Sequence, residues 1–199
     1  MTEADAGGGR EWPAILTWRS HDASRMESTR VHLSGNRIRA IGRIVAAASD
    51  QNPAFSASYD LVTDDTGATT RLSLDVSLAE RDRQLSIARD EENMWLITGF
   101  EGESREDFGG ALDVDMVLSP FFNALPIRRI GLHQTAESVE VPVVYVNLPD
   151  LSVVPASIAY RSSGADGAGI YVNSPVNETT IVVDDDGFIV DYPGLAERI

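Results

Sequence analysis

Polar and apolar residues alternate along most of this chain. Residues 37–45 place Ile38, Ala40 and Ile44 on one face of an extended segment, opposite three arginines. Residues 70–78 repeat the pattern, with four apolar side chains on one side. A period of two residues is typical of a β-strand with one buried face. The pattern therefore predicts a protein built mainly of sheet.

Turn residues separate the alternating segments at short, regular intervals. Ser34-Gly35-Asn36 predicts a hairpin turn, and residues 63–67, 90–93 and 184–187 predict further turns. Many short strands with such spacing favour an all-β roll, barrel or sandwich. The predicted strands cover residues 14–18, 30–33, 37–45, 54–62, 70–78, 83–90, 94–98, 111–118, 139–148, 151–160, 169–173, 179–183 and 188–190.

Residues 119–131 form the one segment with helical features. Ser119 is a suitable N-cap, and Pro120 fits the first turn of a helix. Pro126 is expected to interrupt a continuous helix, because its ring removes a backbone donor and clashes with the preceding turn. We predict one short helical segment here.

No linker or internal repeat divides the chain, so we predict one β-roll domain over residues 12–199. Residues 1–11, acidic and rich in glycine, are expected to form a disordered tail. They lack the basic start and apolar run of a signal peptide, and no apolar run is long enough to span a bilayer. A cytoplasmic location is therefore expected.

Acidic residues outnumber basic ones by 31 to 16, which gives a net charge of −15. The excess is concentrated in residues 101–199, which hold 16 acidic and 5 basic residues. A surface this negative is expected to repel phosphate backbones and anionic bilayers, so we predict no nucleic-acid partner. The chain has no cysteine and no lysine. Thiol catalysis, disulfides, cysteine-bound metals and lysine Schiff bases are thereby excluded.

A distinctive polar cluster occupies residues 112–130, among apolar residues and two prolines. Asp113 and Asp115 stand two positions apart on a predicted strand, so both point to one face. Arg128 and Arg129 cannot face the same way. One is expected to pair with Asp113 or Asp115, and the other to meet solvent or a polar head group. The cluster therefore indicates either a paired-carboxylate binding site or a structural ion-pair network.

Other candidate chemistry is weak. The three histidines are isolated and lack the spacing of a helical metal pair, and no serine stands in a Gly-x-Ser-x-Gly elbow. We predict no metal and no cofactor.

The cluster and several other segments carry a resemblance to the bacterial family named "Putative glycolipid-binding". The matching segments are residues 112–115, 119–120, 123–130, 148–153 and 185–195, together with Tyr160. The match is looser in the first half, at Trp18, Glu27, Trp95 and Gly99. The chain departs from the family pattern at Phe121-Phe122 and over the glycine-rich stretch 164–169. The resemblance implies a spiral β-roll, in which a long curved antiparallel sheet wraps around one short helix, and it implies a homodimer.

Three functions stay open. The first is a non-enzymatic protein that binds an amphipathic ligand, a glycolipid or other lipid, without an integral membrane segment. The second is a dimeric scaffold without a small ligand, in which the polar cluster locks the helix into the roll. The third is a hydrolase or isomerase with Asp113 or Asp115 as its base. For the first, the predicted ligand contacts are Asp113, Asp115, Phe121, Phe122, Asn123, Arg128, Arg129 and Tyr192. No catalytic residue is assigned.

Overall fold

The computed structural model describes residues 11–50, 52–100, 102–164 and 169–199, and most of these lie in strands. The strands are β1 Ala14–Ser20, β2 Arg25–Ser34, β3 Arg37–Ala46, β4 Phe55–Thr63, β5 Thr69–Leu78, β6 Asp82–Arg89, β7 Trp95–Gly99, β8 Gly102–Glu106, β9 Asp113–Met116, β10 Ala136–Val146, β11 Val153–Ser163, β12 Ile170–Asn173, β13 Glu178–Val183, β14 Ile189–Tyr192 and β15 Ala196–Arg198. One α-helix, α1, spans Ala124–Ile130, and two short 3-10 helices span Phe108–Gly110 and Phe121–Asn123.

All 15 strands belong to one curved sheet, and its middle is formed by the two ends of the chain. Strand β1 pairs with β15, and from this pair β1 to β8 run in order to one edge. Strands β15 back to β9 run in order to the other edge. The predicted mainly-β architecture, a long curved sheet with one short helix, is confirmed.

One neighbouring pair breaks the antiparallel order. Strand β9 runs parallel to β10, with Asp113 opposite Val143 and Asp115 opposite Tyr145. Parallel neighbours need a crossover connection, and α1 lies in that connection. The helix is therefore part of a strand-helix-strand unit, and it is held where β9 meets the sheet.

The helix differs from the sequence prediction in two details. Pro126 is the third residue of α1, where the backbone N–H would lack a partner within the helix anyway, so it causes no interruption. Ser119 does not cap a helix, because its hydroxyl donates to Glu27 instead. The helix ends at Gly131, which adopts the left-handed conformation with φ 83°.

The sheet encloses two hydrophobic cores that share β9, β10 and α1. The larger core holds the inward side chains of β1 to β6, together with Val114 and Val144. The smaller core holds inward side chains of β10 to β14, including Val143 and Tyr145. Successive residues of β9 and β10 point to opposite faces, so these strands form a wall between the two cores.

Two tryptophan side chains form buried hydrogen bonds across the curved sheet. The indole of Trp18 on β1 donates to the carbonyl oxygen of Ile189 on β14 over 2.9 Å. The indole of Trp95 on β7 donates to the carbonyl oxygen of Ala111 over 2.9 Å, just before β9. The Trp18 contact reaches across β15, which lies between β1 and β14, and the Trp95 contact joins β7, near one edge of the sheet, to the segment before β9, at the other edge.

Most predicted strands are present, and the apolar faces of β3 and β5 point inward as predicted. The prediction missed β8 and β15 and the first five residues of β2. The predicted tail lies outside the described residues apart from Glu11, as does most of the glycine-rich stretch 164–169. Within the described parts of the chain, no helix has the length and apolar character needed to cross a membrane.

Gly42 provides a test of how tightly the larger core is packed. It lies on β3 opposite Tyr59 of β4, and a Cβ at Gly42 would overlap the tyrosine ring. We expect Gly42→Ala to lower the free energy of unfolding by about 3 kcal/mol in urea denaturation. Gly99→Ala is the control, because its Cβ would meet the flexible Leu85 Cδ1 at 3.3 Å and the Gln84 carbonyl oxygen at an ordinary contact distance of 3.8 Å. Equal effects of the two changes would contradict this account of the core.

Candidate functional site

The strongest polar contact of the predicted cluster joins Arg129 of α1 to Asp113 of β9. The Arg129 Nη2 lies 2.6 Å from Asp113 Oδ2, and Nε donates to both carboxylate oxygens at 3.1 and 3.3 Å. Asp113 is fully buried, whereas Arg129 keeps 18% of its side chain exposed. Burial raises the pKa of Asp113, and the guanidinium of Arg129 opposes that shift. The pair fixes the helix to the wall between the cores.

Arg128 points away from this pair and joins two turns. One Nη donates to the carbonyl oxygen of Asp186, and the other to that of Gly35 at 3.4 Å. Its guanidinium carbon lies 5.1 Å from the ring centre of Phe188. As the sequence predicted, the two arginines face different ways. Arg128 braces the β2–β3 turn against the β13–β14 turn.

Phe121 and Phe122 lie fully inside the larger core. Phe121 stacks on Tyr59 with ring centres 6.0 Å apart, and Phe122 meets the edge of Tyr59 at 5.2 Å. Asn123 is also buried, and its Oδ1 accepts from the Tyr160 hydroxyl over 3.0 Å. In this structure the two phenylalanines are packing residues, with no surface open to a ligand.

Asp115 lies on the smaller-core face of β9 in a group of tyrosines. Tyr145 is its cross-strand neighbour, and Tyr160 and Tyr192 are close enough for its charge to raise their pKa values. Burial raises the pKa of Asp115 to about 7, and the charge of Asp113 adds to the shift. Among the described residues, Asp115 Oδ1 and the Tyr145 hydroxyl have no hydrogen-bond partner.

A third buried carboxylate, Glu27 of β2, lies on the inward side of its strand beside the larger core. Its Oε1 accepts from the Tyr59 hydroxyl over 2.6 Å and from Ser119 Oγ over 2.7 Å. Thr29 Oγ1 lies 2.6 Å from the same Tyr59 hydroxyl. Burial raises the pKa of Glu27 to about 7, and the two hydroxyl donors oppose that shift. The cluster ties β2 and β4 to the segment that enters α1.

An open cleft lies elsewhere, beside the free edge of the sheet at β8. Its volume is about 310 Å³. The apolar lining comes from Leu85, Ile97, Phe100, Leu151 and Val153, and the polar lining includes Gln84, Glu103, Ser104 and Glu106. A shallower depression of about 630 Å³ shares Phe100 and continues over β5 and β6. Neither space is lined by a residue of the predicted polar cluster.

The comparisons agree with this architecture. A family model described as "Putative glycolipid-binding" matches residues 15–198. The chain belongs to this family. It is also similar to the crystal structure of a DUF1089 family protein from Pseudomonas aeruginosa, with a TM-score of 0.70 and 23% identity. That likeness covers 100% of this chain and 98% of the other, and it shows the fold. The comparison with curated proteins gave no match.

Only some of the residues predicted from the sequence as one cluster are in contact. Asp113 and Arg129 form the ion pair that the structural interpretation of the cluster required. Asp115, Asn123 and Tyr192 lie beside the smaller core. Glu27 was noted only through the resemblance, and its partner Tyr59 was missed. The sequence did contain a signal for this site, because Glu27 is an acidic residue on the inward face of β2. The signal could not be recognised, since residues 25–29 were not predicted as strand.

Removal of one partner of the buried ion pair should strongly destabilise this family member. Arg129→Ala leaves the buried Asp113 without its charge partner, so we expect the free energy of unfolding to fall by about 3–5 kcal/mol. Arg105→Ala, which removes exposed ion pairs with Asp90 at 2.8 Å and Glu92 at 2.6 Å, is the control and should change it far less. Urea denaturation of both variants measures the difference. A loss no larger than that of the control would show that the pair does not hold α1.

Glu27 should make stability depend on pH. Its pKa is raised from 4.5 to about 7 in the folded chain, so the folded state holds a proton that the unfolded state releases. Its stabilising contribution is complete below pH 4.5 and is lost as the pH rises to about 7. Relative to Glu27→Gln, the wild type should lose roughly 3 kcal/mol across this range.

The measurement is the free energy of unfolding of both proteins at each pH. Glu137→Gln, at an exposed position of β10, is the control for the general effect of removing a carboxylate. Parallel pH profiles for wild type and Glu27→Gln would contradict the assignment.

Proposed function

We propose that the protein binds an amphipathic ligand of the glycolipid or other lipid class, without catalysis, and that the ligand lies in the cleft at the β8 edge. The observation that carries this proposal is the mixed lining of that cleft, which is open and half apolar. The family description supports the class of ligand.

The two parts of the cleft lining suit the two parts of such a ligand. Leu85 and Leu151 form a buried apolar floor, and the ring of Phe100 is 56% exposed beside it. Ligand pockets combine such apolar walls with a few polar groups that fix orientation. Here the carboxamide of Gln84 and the hydroxyl of Ser104 are neutral hydrogen-bonding groups that suit the hydroxyls of a sugar.

Arg83 braces one end of this region. Its guanidinium donates to the carbonyl oxygen of Asp150 and lies 4.3 Å from the ring centre of Phe100. It therefore connects β6 to the turn before β11, across which Leu151 and Val153 approach the edge of the sheet. We propose that this connection keeps the two sides of the cleft apart at a fixed distance.

Direct ligand contact by the eight residues predicted from the sequence stays a prediction. Their burial and mutual contacts favour a supporting role, in which Arg128, Arg129 and Asp113 fix α1 while Phe121 and Phe122 fill the core. Asp115 and Tyr192 are the two whose chemistry best fits a polar ligand group, since Asp115 Oδ1 lacks a partner among the described residues. The homodimer and the cytoplasmic location are also kept as proposals.

A scaffold without a small ligand is the second candidate. The closed interior favours it, because the polar cluster that first indicated a binding site is engaged in contacts within the chain. The contact with Arg129 argues against catalysis by Asp113, because both carboxylate oxygens of Asp113 accept hydrogen bonds from Arg129. For Asp115, catalysis would need a path for substrate, and neither cleft described above is lined by it.

A calorimetric titration with dodecyl maltoside below its critical micelle concentration tests the proposed site. Phe100→Ala should weaken binding about tenfold, because it removes an exposed ring from the cleft wall. Leu96→Ala is the matched control, since Leu96 is an exposed apolar residue of β7, the strand that precedes Phe100, and it does not line the cleft.

Unchanged binding in Phe100→Ala would place the ligand elsewhere. No binding by the wild type, to this probe or to a glycolipid extract, would favour the scaffold instead.

A further inference from the structure

The first three strands differ in charge from the rest of the chain. Strands β1, β2 and β3 contain six arginines and one acidic residue, the buried Glu27. The whole chain has 31 acidic and 16 basic residues. We call the outward side of these strands the arginine face. It is formed by Ile15, Thr17, Arg19, Met26, Ser28, Arg30, His32, Ser34, Arg37, Arg39, Ile41, Arg43 and Val45.

Aliphatic side chains are interleaved with the arginines on this face. Arg30 lies between Ile15 of β1 and Ile41 of β3 in the strand register. These two isoleucines are 67% and 46% exposed. Met26 and Val45 form another exposed cross-strand pair on the same side. Four large aliphatic side chains at outward positions of adjacent strands are unusual, because outward positions of a half-solvated sheet are normally polar.

Part of the positive charge on the arginine face is uncompensated. Arg19 pairs with Glu197 at 2.6 Å, Arg37 with Asp65 at 3.0 Å and Arg39 with Asp60 at 3.5 Å. For Arg30 and Arg43, no carboxylate of the described residues lies within ion-pair distance. Arg30 donates from Nε to the neutral ring nitrogen His32 Nε2 over 3.3 Å, which leaves its charge uncompensated. The positive charges of Arg30 and Arg43 are therefore available to an anion outside the chain.

A shallow depression adjoins this face where β2 begins and β3 ends. It has a volume of about 360 Å³ and shares Met26 and Val45 with the face. The rest of its lining is mostly small or apolar, with Ala23, Ser24, Arg25, Ala46, Ala47 and Phe55. Basic side chains, exposed aliphatics and an apolar recess thus occur on one side of the molecule.

We propose that the arginine face docks on an anionic lipid surface. Lipid phosphates would meet Arg30 and Arg43, while Ile15, Ile41, Met26 and Val45 would enter the boundary between head groups and acyl chains. The net charge of −15 indicated repulsion from such surfaces, but the carboxylates that reach this side pair with three of its arginines and leave Arg30 and Arg43 uncompensated. The proposal does not rest on the ligand cleft, which lies at the β8 edge.

A lipid surface fits this face better than a nucleic acid. A polyanion gains little from exposed aliphatic side chains, and recognition of single strands depends on aromatic stacking. The outward positions of β1 to β3 carry no Phe, Tyr or Trp. A long phosphate chain would also extend beyond the face toward acidic parts of the surface.

Flotation with vesicles tests this proposal. The full chain is mixed with phosphatidylcholine vesicles, with or without about 30% of the anionic lipid phosphatidylglycerol. Wild type should bind the anionic vesicles, bind the neutral ones much less, and dissociate from the anionic ones at high salt. Arg30→Gln/Arg43→Gln should lower the partition coefficient about 30-fold, since each basic residue contributes about fivefold.

Arg81→Gln/Arg161→Gln is the matched control, with the same change of charge at two exposed arginines away from the face. It should bind as the wild type does. Ile15→Ser/Ile41→Ser should also weaken binding while retaining the salt dependence. Circular dichroism checks that each variant is folded.

The proposal is overturned if wild type binds neither vesicle, or if both arginine pairs reduce binding equally. Tight binding of a labelled DNA or RNA duplex through Arg30 and Arg43, without vesicle binding, would instead assign the face to a nucleic acid.

Discussion

The fold depends on a short strand, β9, that lies between two hydrophobic cores. Its residues alternate between the cores, so Val114 and Met116 contribute to the larger one while Asp113 and Asp115 face the smaller one. A four-residue strand with two buried carboxylates is a poor sheet former, and Arg129 supplies the charge that compensates one of them. Because residues of β9 contribute to both cores, a substitution of Asp113 or Arg129 should disturb the packing of both cores.

The same arrangement constrains where a ligand can bind. Glu27, Asp113 and Asp115 are buried carboxylates, and the hydroxyl, guanidinium and tyrosine groups around them come from other strands, from α1 and from the loop before it. Such networks specify one packing, because a partner displaced from any of them leaves a buried polar group unsatisfied. An interior held in this way is a poor place for a mobile ligand. The edge of the sheet, where β8 has no outer neighbour, is the more adaptable part.

The alternation of apolar residues was sufficient to predict most of the strands and the inward faces of β3 and β5. It could not predict the β1–β15 pair or the parallel β9–β10 pair, because strand order depends on contacts between residues far apart in the chain. The polar cluster was found from the residue types in 112–130. The role of the cluster could not be predicted from the residue types, because a bidentate ion pair and a head-group site require the same side chains. The cleft had no sequence signal, because Leu85, Phe100 and Leu151 belong to three separate segments.

We propose that the ligand occupies the edge cleft while the wall between the cores stays closed. Hydrogen exchange measured by mass spectrometry, with and without dodecyl maltoside, tests this arrangement. We expect residues 97–100, 102–104 and 149–153 to gain protection, and residues 113–130 to exchange equally slowly in both samples. Changed exchange confined to residues 113–130 would contradict it, and would show that the ligand enters the interior at the buried polar cluster.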